Sequence, residues 1–152
     1  MKQILKRITT IFFLLYSLFF VIGSTLSPIF AHLKLYEYSS ILTGLYMNAC
    51  HQQPDRSFWL LGYPVALCCR CYGFYTGVAF SALITLLNKF RLNIKMFSFL
   101  LILVVIDVII NIVFKISTGN IIRFFVGIMM GVLFVSVINY LFEYKKENSN
   151  AS

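Results

Sequence analysis

Residues 50–77 read C-H-Q-Q-P-D-R-S-F-W-L-L-G-Y-P-V-A-L-C-C-R-C-Y-G-F-Y-T-G. All four cysteines (Cys50, Cys68, Cys69, Cys71) fall in this stretch, with His51, Arg56, Arg70, the single Trp (Trp59), Pro54 and Pro64. Long apolar runs lie on either side of it. The stretch is therefore where the chain stops crossing a bilayer and does something else.

Outward from it, the apolar runs set the fold class. Of 152 residues, 60% are hydrophobic and only 12% charged, against about a quarter charged in an ordinary soluble domain. A water-soluble chain this short has no core large enough for its 16 Phe. Four runs are long enough to span, at 8–30, 72–88, 96–114 and 121–142. The expected fold is an all-α integral membrane protein, a four-helix transmembrane bundle forming one membrane domain over 1–142. A polar tail, 143–152, is expected to be disordered. The first run, preceded by Lys2, Lys6 and Arg7, resembles a signal peptide in order. It is long, however, and Ile29 stands three residues before Ala31 where cleavage wants a small residue, so it reads as a retained helix.

Between the first two runs, Leu35, Tyr38, Leu42, Leu45 and Ala49 recur at helical spacing, with Lys34, Glu37, Ser40 and Asn48 on another face. This predicts an amphipathic helix over 33–49, too polar to span. Residues 58–67 are apolar but too short to cross, and Pro64 interrupts them. They read as a loop dipping into the interface, with Trp59 and Tyr63 at headgroup level.

The net charge of +8 flanks apolar runs and forms no stripe, so lipid, including anionic lipid, is the expected partner and nucleic acid is not. Lys2, Lys6, Arg7, Lys89, Arg91, Lys95, Lys145 and Lys146 share one side of a four-span bundle. Lys34, Arg56, Arg70, Lys115 and Arg123 share the other. The larger set belongs in the cytoplasm, which puts both termini inside the cell membrane and the cysteine-rich loop, 31–71, outside.

Within the spans, Gly73 with Gly77 and Gly127 with Gly131 form two G-x-x-x-G pairs, suited to close helix packing. Asp107 and Asn111 lie one turn apart inside the third span. A charge there costs roughly 2.5–3.5 kcal/mol unless it finds a partner. Arg123, across a short turn, is the expected one. Arg56, Arg70, Asp107, Asn111 and Arg123 together make a candidate polar or anion-binding pocket, since guanidinium groups grip phosphate bidentately.

Cys68-Cys69-Arg70-Cys71 contains a C-x-x-C, which can direct two thiolates at one centre. With Cys50 and His51 it gives four candidate ligands, Cys50, His51, Cys68 and Cys71, for zinc or another soft metal. Two alternatives stand beside this. One is a disulfide stapling an exported loop; the other is thiol–disulfide exchange, with Arg70 favouring a thiolate. Nothing in the residues selects an enzymatic reaction.

C-H-Q-x-P-x-R-S-F at 50–58, C-x-R-C-x-G at 68–73 and Gly77 resemble the uncharacterised prokaryotic membrane-protein family catalogued as domain of unknown function 2085. Asp107, Arg123, Gly127 and Gly131 look like the rest of its pattern, and the likeness covers roughly 45–135. It implies that Cys50, His51, Gln52, Pro54, Arg56, Ser57, Cys68, Arg70, Cys71, Gly73 and Gly77 are signature positions. It also implies that Cys69, where a small residue such as Ala is expected, stands outside the site. The family brings no activity with it.

Overall fold

The computed structural model describes residues 2–87, 92–113 and 118–148, the side chains of 2, 112 and 143–148 apart. Four long apolar helices dominate them: α1 (Lys2–His32), α3 (Cys69–Leu87), α4 (Ile94–Val113) and α5 (Asn120–Asn148). A shorter helix, α2 (Tyr36–Tyr46), follows α1. A 3-10 turn at Pro54–Arg56 then leads into a two-stranded antiparallel sheet, β1 (Ser57–Leu60) with β2 (Tyr63–Cys68). The chain is an all-α membrane bundle in class, with the small hairpin at one end.

The bundle is built around α3 against α5, its most extensive helix contact. Gly73 and Gly77 on α3 face Gly127 and Gly131 on α5. A Cβ on Gly73 would run into the Phe124 carbonyl and Ile128 N, and one on Gly127 into the Arg70 carbonyl and Phe74 N. Lipid offers no hydrophobic drive for pairing, so such backbone-to-backbone contact is what holds the helices together. At the far end Asn139 Nδ2 donates to Thr85 Oγ1 at 3.1 Å. Helix α1 packs on α3 through aromatic rings, with Phe20 and Tyr75 stacked at 4.2 Å. Helix α4 touches α5 through Val104, Val126 and Leu133. It leaves Phe99, Ile102 and Ile106 exposed, as a lipid-facing helix should.

Local chemistry sets the ends of the elements. Helix α1 stops where Lys34 turns left-handed (φ 61°). The Leu35 N–H bonds the Phe30 carbonyl at 2.9 Å and the Lys34 N–H bonds the Ala31 carbonyl at 3.1 Å, a Schellman cap formed without glycine. The strands meet at Leu61-Gly62, both at positive φ (54° and 84°), the geometry of the tight primed turns that close hairpins.

Several expectations need correction. Residues 58–67 pair with one another as a hairpin rather than forming an irregular loop, and Pro64 sits within β2 opposite Trp59. A two-stranded sheet is all edge, so it tolerates the missing donor. Helix α3 begins at Cys69, so Cys69, Arg70 and Cys71 are helical and the loop ends earlier than 71. Helix α2 is shorter than 33–49. Helix α5 continues to Asn148, which makes helix of most of the tail expected to be disordered; 149–152 lie outside the described residues. So do Lys89 and Arg91 of the basic loop, and Lys115 and Ser117 of the last turn.

Candidate metal centre

Three sulfurs converge where the hairpin delivers the chain into α3. The Sγ atoms of Cys50, Cys68 and Cys71 lie within 4.8 Å of one another, and none of the four cysteines is bridged. Cys50 is fixed from behind, because its N–H and that of Ala49 both bond the Tyr46 carbonyl at 3.0 Å. Gln52 then takes a left-handed conformation (φ 49°) and is held there by Nε2 donating to the Thr43 carbonyl at 2.7 Å. That reversal aims the Gln52 N–H back at Cys50 Sγ (3.5 Å). Cys68, the last residue of β2, is held in register by pairing with Ser57 and gives its own N–H to Cys50 Sγ at 3.2 Å. Cys71 follows in the first turn of α3.

The surroundings are dry. Cys50 is buried with Phe20, Tyr46, Ala66 and Leu67, while Cys68, Cys71, Tyr72 and Tyr75 pack against them. Tyr46 is fully buried and its hydroxyl donates to the Phe19 carbonyl at 3.2 Å. Gly23 leaves room for that hydroxyl, which a Cβ would overlap. Gln52 and Tyr46 position the cluster, yet the cysteine pattern alone gives no sign of Tyr46.

Charge follows from this geometry. Hydrogen bonds from the Cys68 and Cys71 thiols, then from the Cys68 and Gln52 N–H groups, pull the Cys50 thiol down to about 2 against the opposing effect of burial. The Cys68 thiol is pushed up, chiefly by its bond to Cys50. Of these two thiols, Cys50 is the one whose surroundings favour the thiolate. Three sulfurs bound to one ion at about 2.3 Å would stand about 3.8–4.0 Å apart, inside the 4.8 Å within which these three lie. The donor set fits a soft ion, and it leaves one tetrahedral position unfilled by protein sulfur.

The remaining expected residues divide. His51 is exposed and outside the sulfur group, and Cys69 is fully buried and also outside it. Asp107 pairs with Arg70, not with the expected Arg123: Arg70 Nη2 stands 2.6 Å from Asp107 Oδ2. The reason is the glycine contact, which lays the Arg70 backbone on Gly127 and brings the start of α3 level with the third span. Asn111 Nδ2 donates to Asp107 Oδ1 at 3.1 Å and also bonds Thr118. Asn120 Nδ2 reaches the Asp55 and Ser57 carbonyls at 3.4 and 3.3 Å, and so ties the turn that carries Arg56 to the start of α5.

With this geometry in hand, comparison with known proteins gives a family match. The model of the family described as predicted membrane protein (DUF2085) matches residues 50–137. An uncharacterized protein, MJ1492, of Methanocaldococcus jannaschii is 42% identical over 66 residues, a match that spans 40% of this chain and 42% of that relative. No solved structure matches.

Proposed function

We propose, for a chain that belongs to the DUF2085 family of predicted membrane proteins, that its Cys50, Cys68 and Cys71 hold a zinc-like soft metal ion at the hairpin end of a four-span bundle. The observation that carries this reading is the convergence of three thiols from two separated parts of the chain. A disulfide uses two sulfurs and has no need of a third. The backbone N–H groups on Cys50 support the reading, because they stabilise the thiolate a soft ion requires. Three protein ligands with one open position are the arrangement of zinc sites that act on a bound molecule or pass their ion on, whereas structural sites close with four. In this reading 1–142 is a single membrane domain. The hairpin end lies outside the cell membrane and both termini lie in the cytoplasm, the side with more Lys and Arg.

The test is metal analysis of detergent-purified protein, with thiols counted before and after reduction. One equivalent of metal and four thiols are expected without reduction. Less than about a tenth of an equivalent, together with a Cys50–Cys68 or Cys50–Cys71 bridge, overturns the reading. A mixed disulfide trapped with a partner through Cys68 or Cys71 would instead identify thiol–disulfide exchange. Reporter fusions in the hairpin and the tail test the orientation.

A further inference from the structure

A cavity that the sulfur cluster does not use lies between the end of α1, helix α2 and strand β2, with a volume of about 160 Å³. That is room for several waters, yet less than the roughly 300–1,000 Å³ of pockets that take drug-sized molecules. Pro28 and Val65 supply apolar wall, while Ser27, Ser39, Thr43 and Gln52 supply polar atoms. No lining residue is charged at neutral pH.

The three hydroxyls order one another. Thr43 Oγ1 donates to the Ser39 carbonyl at 2.9 Å, so in its 2.9 Å contact with Ser27 Oγ it is Ser27 that donates. The Ser39 carbonyl, at 3.4 Å, is the longer alternative for that Ser27 proton. With the Ser27 proton spent, Ser39 Oγ donates to Ser27 Oγ across 3.2 Å. All three protons are thus used inside the cluster. A hydroxyl oxygen can accept two hydrogen bonds, so Ser39 keeps both of its lone pairs and Ser27 and Thr43 keep one each. Gln52 Nε2 gives one hydrogen to the Thr43 carbonyl at 2.7 Å, and an amide has a second hydrogen and a carbonyl oxygen to offer. The cavity is therefore rich in acceptors and poor in donors.

We propose that this cavity binds a small uncharged polyol, the size of a glycerol group, whose hydroxyls donate to the Ser27, Ser39 and Gln52 oxygens. An anion only accepts hydrogen bonds and would meet lone pairs. An ammonium would donate, but into a cavity with no counter-charge in its lining. An apolar group would leave the acceptors unsatisfied. A polyol donates to them and also accepts the spare Gln52 N–H. Trp59 and Leu61 on the hairpin and Tyr38 and Ile41 on α2 are exposed around this end, which sets it among lipid headgroups. The polyol reaches it free or as the headgroup of a neutral glyceride. None of the three clustered cysteines lines the cavity, so the proposal stands or falls independently of the metal reading.

The probes are monoolein, whose head is a glycerol with two free hydroxyls, methyl oleate, which has none, lysophosphatidate, which adds a charge, and glycerol itself. The lipids are scored by native mass spectrometry from detergent, and glycerol by saturation-transfer NMR on the same full chain. Retention of monoolein over methyl oleate identifies a lipid-borne polyol; saturable transfer to glycerol alone identifies a free one. In either case Ser39→Ala, at a half-buried position, should weaken binding about fivefold while metal content stays unchanged. Ala31→Leu, which fills the cavity from α1, should abolish it. Binding of neither monoolein nor glycerol, retention of lysophosphatidate as strong as that of monoolein, or undiminished binding in Ser39→Ala overturns the proposal. Should Ala31→Leu fail to fold, Ser39→Ala decides alone.

Discussion

Arg70 and Cys71 are neighbours in the sequence, yet they serve opposite sides of α3. On the α1 side, three thiols sit among Phe20, Tyr46 and Leu67, with backbone N–H groups as the main polar company. On the α4–α5 side, Arg70 pairs with Asp107, which also accepts a hydrogen bond from Asn111. One side is soft and dry and the other is charged. A helix turns about 100° per residue, so adjacent positions can take up unrelated chemistry when a different element packs on each face. The common support is the glycine contact between α3 and α5, which sets how closely the charged side can assemble.

Breaking that support should give the largest effect. Gly127→Leu would drive a side chain into the Arg70 carbonyl and Phe74 N, and backbone cannot yield as a side chain can. A loss of about 3 kcal/mol or more is expected, seen as aggregation or a collapsed melting temperature in detergent. Both sides should fail together. A folded variant would show that they do not share this support.

Next in size is Asp107→Ala. It strands a guanidinium that is about a third exposed, so the full cost of a broken buried pair is discounted to about 1–3 kcal/mol. The melting temperature should fall while metal content holds. A parallel loss of metal would show that the two sides are coupled.

A finer measurement addresses the thiol side. Thiol and backbone hydrogen bonds to Cys50 Sγ favour its thiolate. An ion binding near neutral pH should therefore release fewer protons than the three that three ordinary thiols would give, read by calorimetry in buffers of different ionisation enthalpy. Because protons compete for the same sulfurs, acidification should expel the metal. The smallest effects belong to His51→Ala and Cys69→Ala, which lie outside the sulfur group. Metal content should be unchanged in both, and its loss in His51→Ala would restore the four-ligand set that the sequence suggests.

Much of this contrast can be read from the chain alone. The four apolar runs, the two glycine pairs and the gathering of Cys50, Cys68 and Cys71 need only hydropathy and spacing. The hairpin does not show itself that way. Its strands bury neighbouring residues, with Val65, Ala66 and Leu67 all buried in succession, so the alternation that marks a strand is missing. The usable signal was Leu61-Gly62 between two apolar runs. The partner of Asp107 was hidden for a different reason. Arg123 is close along the chain, whereas Arg70 arrives from the previous helix and only the fitting together of Gly73 and Gly127 brings it there. His51 looked like a ligand because it adjoins Cys50, but the left-handed turn at Gln52 carries the chain back to the sulfur and leaves the imidazole outside.

The central claim is that three sulfurs of this chain bind one ion. X-ray absorption at the zinc edge, on protein loaded with zinc under reducing conditions, reads the donors directly. Three sulfur scatterers at about 2.3 Å are expected, falling to two in Cys68→Ser. A shell of oxygen and nitrogen alone, or an unchanged sulfur count in that variant, would contradict it.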